Sequence, residues 1–479
     1  MTRHPVRAVR APRGARNGPP EGFDRRLIAP MLLGSVLNPV NSVMISVALV
    51  PIGRALGASP AGTAWLLSAL YLATAVGQPV AGRLVDAYGP RLLYLCGAAL
   101  VGVAGALGTV ATSLHVLVVA RVLLGLGTCA AYPAAMHLTR SEAVRTGRKS
   151  PGGVLTALSF ANQTVAVVGP ALGGLLIGLG GWRTLFTVNV PLAAACLVLG
   201  ARRLPKRSAL PLAAQAGTGT GGRPRLDTAG MALFAVSLTA ALLFVTEPRA
   251  AHWYLPALAA ATSVAFTVRE LRTPEPFIDL RLLRGNPAVL ATFARQVLAF
   301  TVTYAFLYGF SQWLEEGRGL SASQAGLVQT PMFLTAMAVT ALTGRRPEVR
   351  GKLLTGGLLQ AAACLLLLLV HAGSPVWLLL AVTLVAGVPQ GLNNLANQNA
   401  LFHQADAGRM GSSAGLLRTF AYLGAMVASS ANAAFFRHGV TTAGLHHLAW
   451  FLAGTAALLV AVTLPDRSLR RIGRGTDRP

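Results

Sequence analysis

The 479-residue sequence predicts an all-α integral membrane protein: fourteen transmembrane helices, arranged as two six-helix bundles with a helix pair inserted between them. Three observations predict it. Only 12% of residues are charged, against roughly 25% in soluble proteins, while 53% are hydrophobic and the mean hydropathy is +0.57. The apolar residues come in blocks of about 18 to 25, the length that crosses a bilayer as a helix, rather than alternating on a helix or strand period. Lysine and arginine are sorted between alternate loops, which fixes an orientation.

Taken in order, residues 1–27 form an Arg-, Pro- and Gly-rich arm with Arg3, Arg7, Arg10, Arg13, Arg16, Arg25 and Arg26. No short apolar segment with a small-residue cleavage site follows it, so a disordered cytoplasmic arm is expected rather than a cleaved signal peptide. The apolar spans are 28–52, 62–82, 91–112, 115–138, 153–180 and 183–201, which make the first bundle, 28–201. Residues 202–228, with the run Gly217–Gly222, read as a flexible cytoplasmic linker. Spans 229–247 and 251–268 are the inserted pair, 229–268, and 269–287 is an amphipathic connector. Spans 288–313, 322–343, 352–371, 375–401, 410–435 and 445–464 make the second bundle, 288–464, followed by a cytoplasmic tail, 465–479.

With span 1 running outward, the inner segments hold 33 Lys and Arg, the outer loops hold five (Arg54, Arg183, Arg249, Arg318, Arg437), and three lie within spans. That asymmetry is a strong positive-inside signal and puts both termini in the cytoplasm of a multi-pass cell-membrane protein. The net charge of +26 is therefore topological, and no nucleic-acid partner is expected. Only Lys149, Lys206 and Lys352 are lysine, a bias that reads as the genomic signature of a high-GC bacterium. Cys96, Cys129, Cys196 and Cys364 all fall in apolar blocks without metal-site spacing, so neither a disulfide framework, a metal nor a cofactor is expected.

An internal repeat supports the division into bundles. Gly82-Arg83-Leu84-Val85-Asp86-Ala87-Tyr88-Gly89-Pro90-Arg91 follows span 2, and Gly344-Arg345-Arg346-Pro347-Glu348-Val349-Arg350-Gly351-Lys352 follows span 10. Both place an acid four residues and a glycine seven residues after the first Gly, at an offset of 262 that also aligns Gly125 with Gly387 and Gly153 with Gly415. The glycines permit a tight turn and close helix approach. Asp86 can pair with basic residues or sit at a helix N-terminus, a contact able to lock one face and release it. The plain alternative is a basic turn that only sets topology. In span 5, Gly169-Pro170 removes a backbone hydrogen bond and kinks the helix, and Gly173 and Gly174 admit a close neighbour, either for movement or for packing alone.

These residues resemble the major facilitator superfamily, and most closely its fourteen-helix drug–proton antiporter branch, over nearly the whole chain. Gly82–Arg91 is similar to the family's loop signature between helices 2 and 3, and Arg121 with Gly125 and Gly127 to its helix 4 signature, with Leu124 where Gln is usual. Gly169-Pro170-Ala171-Leu172-Gly173-Gly174 is similar to the helix 5 antiporter signature. Trp182-Arg183, Phe186 and Asn189-Val190-Pro191 resemble the opening of helix 6 in that branch, and Ile278-Asp279-Leu280-Arg281-Leu282 its connector before helix 9. The resemblance implies the major facilitator fold, a gating role for Gly82, Arg83, Asp86, Gly89, Arg91, Gly344, Glu348 and Gly351, export rather than uptake, and coupling to protons. It also exposes a departure. Asn41 occupies the place of the helix 1 acid, and Asn takes up no proton at physiological pH.

All fifteen acids fall in loops or at span ends. Of the three intramembrane arginines, Arg121 is expected to line a cavity, while Arg295 and Arg418 either line it or snorkel to the inner headgroups. Asn38, Asn41, Asn162, Gln163 and Tyr304 complete the cavity candidates, with Gln78, Tyr308, Gln329, Gln390, Asn394 and Asn397 as further polar residues on these spans. An Arg-lined, acid-free cavity favours neutral or anionic amphiphiles over lipophilic cations. Remaining titratable candidates are Glu247, Glu315, Glu316 and His137.

The expectation is a monomeric secondary transporter that exports a small amphiphilic drug or secondary metabolite by alternating access, driven by protons. An importer or facilitator of the same fold is the alternative. A membrane-embedded transferase needs paired carboxylates or a base and nucleophile in the membrane, which these acid-free spans lack. No Gly-x-x-x-x-Gly-Lys-Ser/Thr loop is present to drive a nucleotide-fuelled pump.

Overall fold

The computed structural model describes residues 23–146, 152–206, 226–246, 250–344, 346, 348–470 and 472. The arm up to residue 22, most of the 202–228 linker, Glu247, Arg345, Pro347 and all of the tail after residue 470 except Ile472 lie outside the described residues. Among those described, the chain is all helix and turn, without a strand.

The first bundle comprises α1 (Ile28–Met44), α2 (Leu49–Leu56), α3 (Pro60–Tyr88), α4 (Pro90–Thr109), α5 (Leu114–Thr128), α6 (Ala131–Thr146), α7 (Gly152–Gly180), α8 (Thr184–Thr187) and α9 (Asn189–Arg203). The inserted pair is α10 (Thr228–Thr246) and α11 (Tyr254–Arg272), and α12 (Leu280–Gly285) lies in the connector. The second bundle is α13 (Pro287–Gln312), α14 (Ala322–Thr343), α15 (Arg350–Leu366), α16 (Val376–Gln404), α17 (Met410–Phe435) and α18 (Thr442–Thr463). Helix thus coincides with each of the fourteen predicted spans. Ten helical stretches are each long and apolar enough to cross a bilayer, and α7 joins them as a pair of segments bent by 51° between Gly153–Gly169 and Ala171–Gly180.

Local chemistry sets the boundaries. Ser59, Ser113, Asn286 and Thr441 cap α3, α5, α13 and α18, and Ser321 with Gln324 forms a capping box on α14. Gly89, at φ 93°, turns α3 into α4 in a conformation an L-residue rarely adopts, and Pro90 then starts the next helix. Several predicted spans are not single helices: span 6 is divided into α8 and α9, and spans 1 and 4 are broken beside a proline. Pro51 has no N–H for the carbonyl of residue 47, and span 1 passes through a 3₁₀ stretch, Ile45–Ala48, just before it. Pro133 leaves the carbonyl of Cys129 without its donor, and span 4 breaks there into α5 and α6 and runs on to Thr146, eight residues past its predicted end.

The loops between the bundles' helices converge by hydrogen bonds on one face. There Asn286 donates to Gln404, Arg91 to the carbonyl of Ala201, and Arg350 to that of Leu464. This is the face of the Arg-rich segments, and it is called the basic face below. The largest hydrophobic cluster joins the first bundle to the basic-face ends of the second, through Phe293, Leu395, Leu401, Phe402 and Leu417. Away from that face the second bundle has its own cluster around Phe306, Phe310 and Trp313. Among the described residues, the buried apolar packing shared by the two bundles thus lies toward the basic face. The inserted pair packs on itself through Phe234–Phe266 and Ser237–Ser263, and α10 leans on α3 and α17.

Candidate functional site

The sharpest contact between the bundles is built on Asp86, in the last turn of α3. Its Oδ1 accepts from the backbone N–H of Gly411 at 2.8 Å. Its Oδ2 accepts from the N–H and the hydroxyl of Ser412 at 2.7 and 2.6 Å. These are the first free amides of α17, so a carboxylate with 3% side-chain exposure sits on the positive end of a helix from the other bundle. His137 of α6 completes the shell, its Nδ1 3.2 Å from Oδ1. Of the alternatives open to Asp86 from sequence, a basic residue or a helix N-terminus, it takes the helix N-terminus, with His137 rather than a lysine or arginine beside it.

Glycine makes the approach possible. A Cβ on Gly82 would strike the backbone of Gly411, one on Gly411 would meet Gly82 O and Asp86, and one on Gly415 would strike the backbone of Gln78 and Pro79. Arg83 is half-buried beside this contact, and Arg91 ties α4 to the end of α9. The repeat copies only part of this. Gly344 is buried against Thr156 of α7, whereas Glu348 is exposed and Gly351 has room for a side chain. Residues 147–151 lie outside the described residues. Lys352 instead caps α14, its Nζ donating to the carbonyls of Thr343 and Arg346.

Behind the Asp86 contact, further hydrogen bonds tie the bundles toward mid-chain depth. They join Arg140 to Phe402 O, Gln398 to Ser159, Thr419 to Ala75 O, Tyr422 to Asn38, and Gln390 to Gln163. The Asn38–Tyr422 pair borders a cavity of about 30 Å³ lined also by Gln78, Tyr132, Asn162 and Arg418, among others. Arg418 lies 4.1 Å over the Tyr132 ring, a cation–π contact that keeps its charge at the cavity. Asn38 is the hub. Its Nδ2 donates to Thr74 and Thr128, and its Oδ1 accepts from the Tyr422 hydroxyl across the bundle boundary at 3.1 Å. Tyr71 packs on Tyr422, and Tyr304 on Tyr308 and Phe300. Such a volume admits a water, whereas drug-sized ligands need about 300–1,000 Å³.

The other candidates separate. Arg121 is 1% exposed inside the first bundle, its Nε donating to Leu66 O and its Nη1 to Asn41 O, with Nη2 unpartnered. Asn41 donates to Asn189 at 2.6 Å, bracing α1 against α9. Gly169 and Gly173 of α7 meet Val43, Met44 and Val47 of the first span, whereas Gly174 meets open space. Arg295 does not reach the cavity. It pairs with Asp466 at 2.8 Å and with Thr292, at the basic-face end of α13. Burial pulls the Asp466 carboxyl up, but hydrogen bonds from Ser468 and Arg295 hold it below the usual carboxylate range. Glu315 and Glu316 lie exposed in a π-helical turn after α13.

A family model described as Major Facilitator Superfamily matches residues 31–429. The chain belongs to the major facilitator superfamily. This superfamily chain is 32% identical over 439 residues to the uncharacterized MFS-type transporter YwoD of Bacillus subtilis, covering 90% of this chain and 94% of that one. It is 28% identical over 375 residues to the tetracenomycin C resistance and export protein of Streptomyces glaucescens (74% and 65% covered). It is 27% identical over 434 residues to the probable actinorhodin transporter of Streptomyces coelicolor (86% and 72%). The crystal structure of the human organic anion transporter MFSD10 superposes with a TM-score of 0.66 at 16% identity, over 93% of this chain and all of that one. The fold is thus the superfamily's, and the protein is a multi-span membrane transporter of small molecules rather than an enzyme. Drug and antibiotic export proteins are among its relatives.

Sequence reasoning singled out neither Ser412, Tyr71, Tyr132 nor Tyr422 of this transporter. Ser412 carries a signal in hindsight, since Gly411-Ser412-Ser413 opens a predicted span and small residues there expose helix amides. The tyrosines carry none, because apolar helices place Tyr against lipid, core or cavity alike.

Proposed function

We propose that this transporter exports a small neutral or anionic amphiphile by alternating access of its two bundles, driven by the proton gradient. The observation that carries the reading is the Asp86 seal on α17: a contact made of a few charge-assisted hydrogen bonds and bare backbone, strong enough to hold one face shut and small enough to release. In this reading the basic face is cytoplasmic, both termini lie there, all fourteen spans cross the membrane, and the protein acts as a monomer. The division into bundles 28–201 and 288–464, with 229–268 as an added pair, follows from the same reading.

Substrate class is argued from charge. Arg418 sits at the cavity with Asn, Gln and Tyr around it and without a carboxylate, so a cation gains nothing there and a polar or anionic head does. Export is argued from the relatives named for tetracenomycin C and actinorhodin. With Asn41 in place of an acid, the Asp86 carboxylate and the His137 imidazole 3.2 Å from it are the groups at the moving contact on which coupling would act. Accumulation of cationic, neutral and anionic fluorescent amphiphiles in an efflux-deficient bacterial host tests this. Lower accumulation of anionic or neutral dyes, reversed by a protonophore, is expected. Robust efflux of a quaternary ammonium dye would sink the substrate class.

A further inference from the structure

Two carboxylates at the basic-face end of the inserted pair play no part in the transport reading above. Asp227, just before α10, uses one oxygen for everything. Its Oδ1 accepts from Gly230 N at 2.9 Å and from Arg269 Nε and Nη2 at 2.8 and 2.7 Å. Glu270, two residues beyond the predicted span in the last turn of α11, uses only Oε2, which accepts from Ile278 N at 3.0 Å. The remaining oxygens, Asp227 Oδ2 and Glu270 Oε1, are buried and have no partner. Both point at one spot, for a methyl group on Gly230 would overlap the two of them. The residues are 5% and 1% exposed. Two buried acceptors that face one spot are thus left without a donor among the described residues.

The geometry points to a proton-binding site: Asp227 and Glu270 form a buried carboxyl pair that holds one proton, on Glu270, and its occupancy sets how firmly the connector is docked beside the Asp86 seal. Two buried carboxylates that face one spot raise each other's cost of ionisation. Burial raises the Glu270 carboxyl most, the amide of Ile278 opposes, and Asp227 raises it further, to about 7. The charged groups facing it are Asp227 and Arg269 from the helix pair and Asp279 from the connector. Beyond them, the connector's Arg281 donates to Leu271 O, and Arg409, ahead of α17, pairs with Asp279.

The path to the seal is short. Glu270 holds the amide of Ile278. The next residue, Asp279, caps α12 through Leu282 N and pairs with Arg409 at 3.2 Å. Arg409 directly precedes α17, whose first amides grip Asp86. Because the folded-state value of Glu270 is raised, the docked arrangement is fully favoured below the ordinary carboxylate value and is lost as pH rises through about 7. Acid on the basic face thus tightens the connector and holds the seal. Base leaves two facing charges and loosens it. This inference needs the transporter fold but not the direction of transport or the substrate.

Infrared difference spectra of the full chain in lipid nanodiscs, titrated across pH 7, test it without any substrate. A protonated-carboxyl band should grow in as pH falls through about 7, vanish in Glu270→Gln, and shift to lower pH in Asp227→Asn. In a Cys96→Ser background, a spin label at Arg284→Cys, an exposed site on α12, should lose mobility over the same range. With Glu270→Gln it should stay in its low-pH state throughout. An unchanged band in both variants, or an unchanged mobility transition in Glu270→Gln, overturns the proposal. Efflux that fails while both spectra behave as expected would sink the export reading alone.

Discussion

Replacing Asp86 with Asn should unlock the basic face. The side chain keeps one acceptor oxygen, enough for Gly411 N, but turns an NH₂ group toward the N–H of Ser412. It also removes a buried negative charge from the N-terminus of α17. The charge on a helix end contributes up to ~2 kcal/mol when buried, and a hydrogen bond to a charged group about 1.5–3 kcal/mol. Part of each is recovered by water once the bundles part, leaving about 2–4 kcal/mol, or roughly thirty- to several-hundred-fold in the open-to-closed ratio. Gln398 reports that ratio, being 2% exposed at the seam and bonded to Ser159 of the other bundle. The rate at which a permeant maleimide modifies Gln398→Cys should rise by that factor in Asp86→Asn. A rate that is unchanged or slower, in protein that inserts normally, would refute the seal.

Other substitutions probe separate parts of the account. Gly415→Val should abolish efflux, because its side chain meets the backbone of Gln78 and Pro79, while Gly174→Ala, facing open space, should be silent; loss of function in both would point to general misfolding instead. Arg418→Glu should turn dye preference from anionic to cationic, read in the same accumulation assay. Asn41→Asp adds a carboxyl where Arg121 already donates to the backbone of residue 41, and should give efflux an additional pH dependence. An unaltered pH profile would take residue 41 off the coupling path. Arg295→Ala strands Asp466 and should cost about 3–5 kcal/mol, lowering the unfolding temperature without changing substrate preference. Asp466 stabilises the fold above its unfolded value and loses that contribution as pH falls through its depressed folded one. The cost of Arg295→Ala should therefore shrink in acid.

The all-helical architecture was legible because bilayer length is a coarse, redundant signal: every predicted span finds a helix. Breaks inside spans 1 and 4 were not, since a hydropathy block does not register a lost hydrogen bond before Pro51 or Pro133. The seal was half legible. Gly82 and Asp86 are visible as a motif, but their partners lie more than three hundred residues away, and no local pattern names Gly411 and Ser412. Intramembrane arginine was the least readable feature. Arg121, Arg295 and Arg418 look alike in sequence, yet one braces backbone carbonyls, one pairs with an acid beyond the last helix, and one stacks on a tyrosine at the cavity. Burial predicts that each finds a partner, not which.

Dye accumulation in the efflux-deficient host, with and without protonophore, tests the central claim most directly. The account predicts that this chain lowers accumulation of anionic and neutral amphiphiles, that a protonophore restores it, and that Asp86→Asn weakens the effect. Selective efflux of cationic dyes, or efflux indifferent to the protonophore, would contradict it.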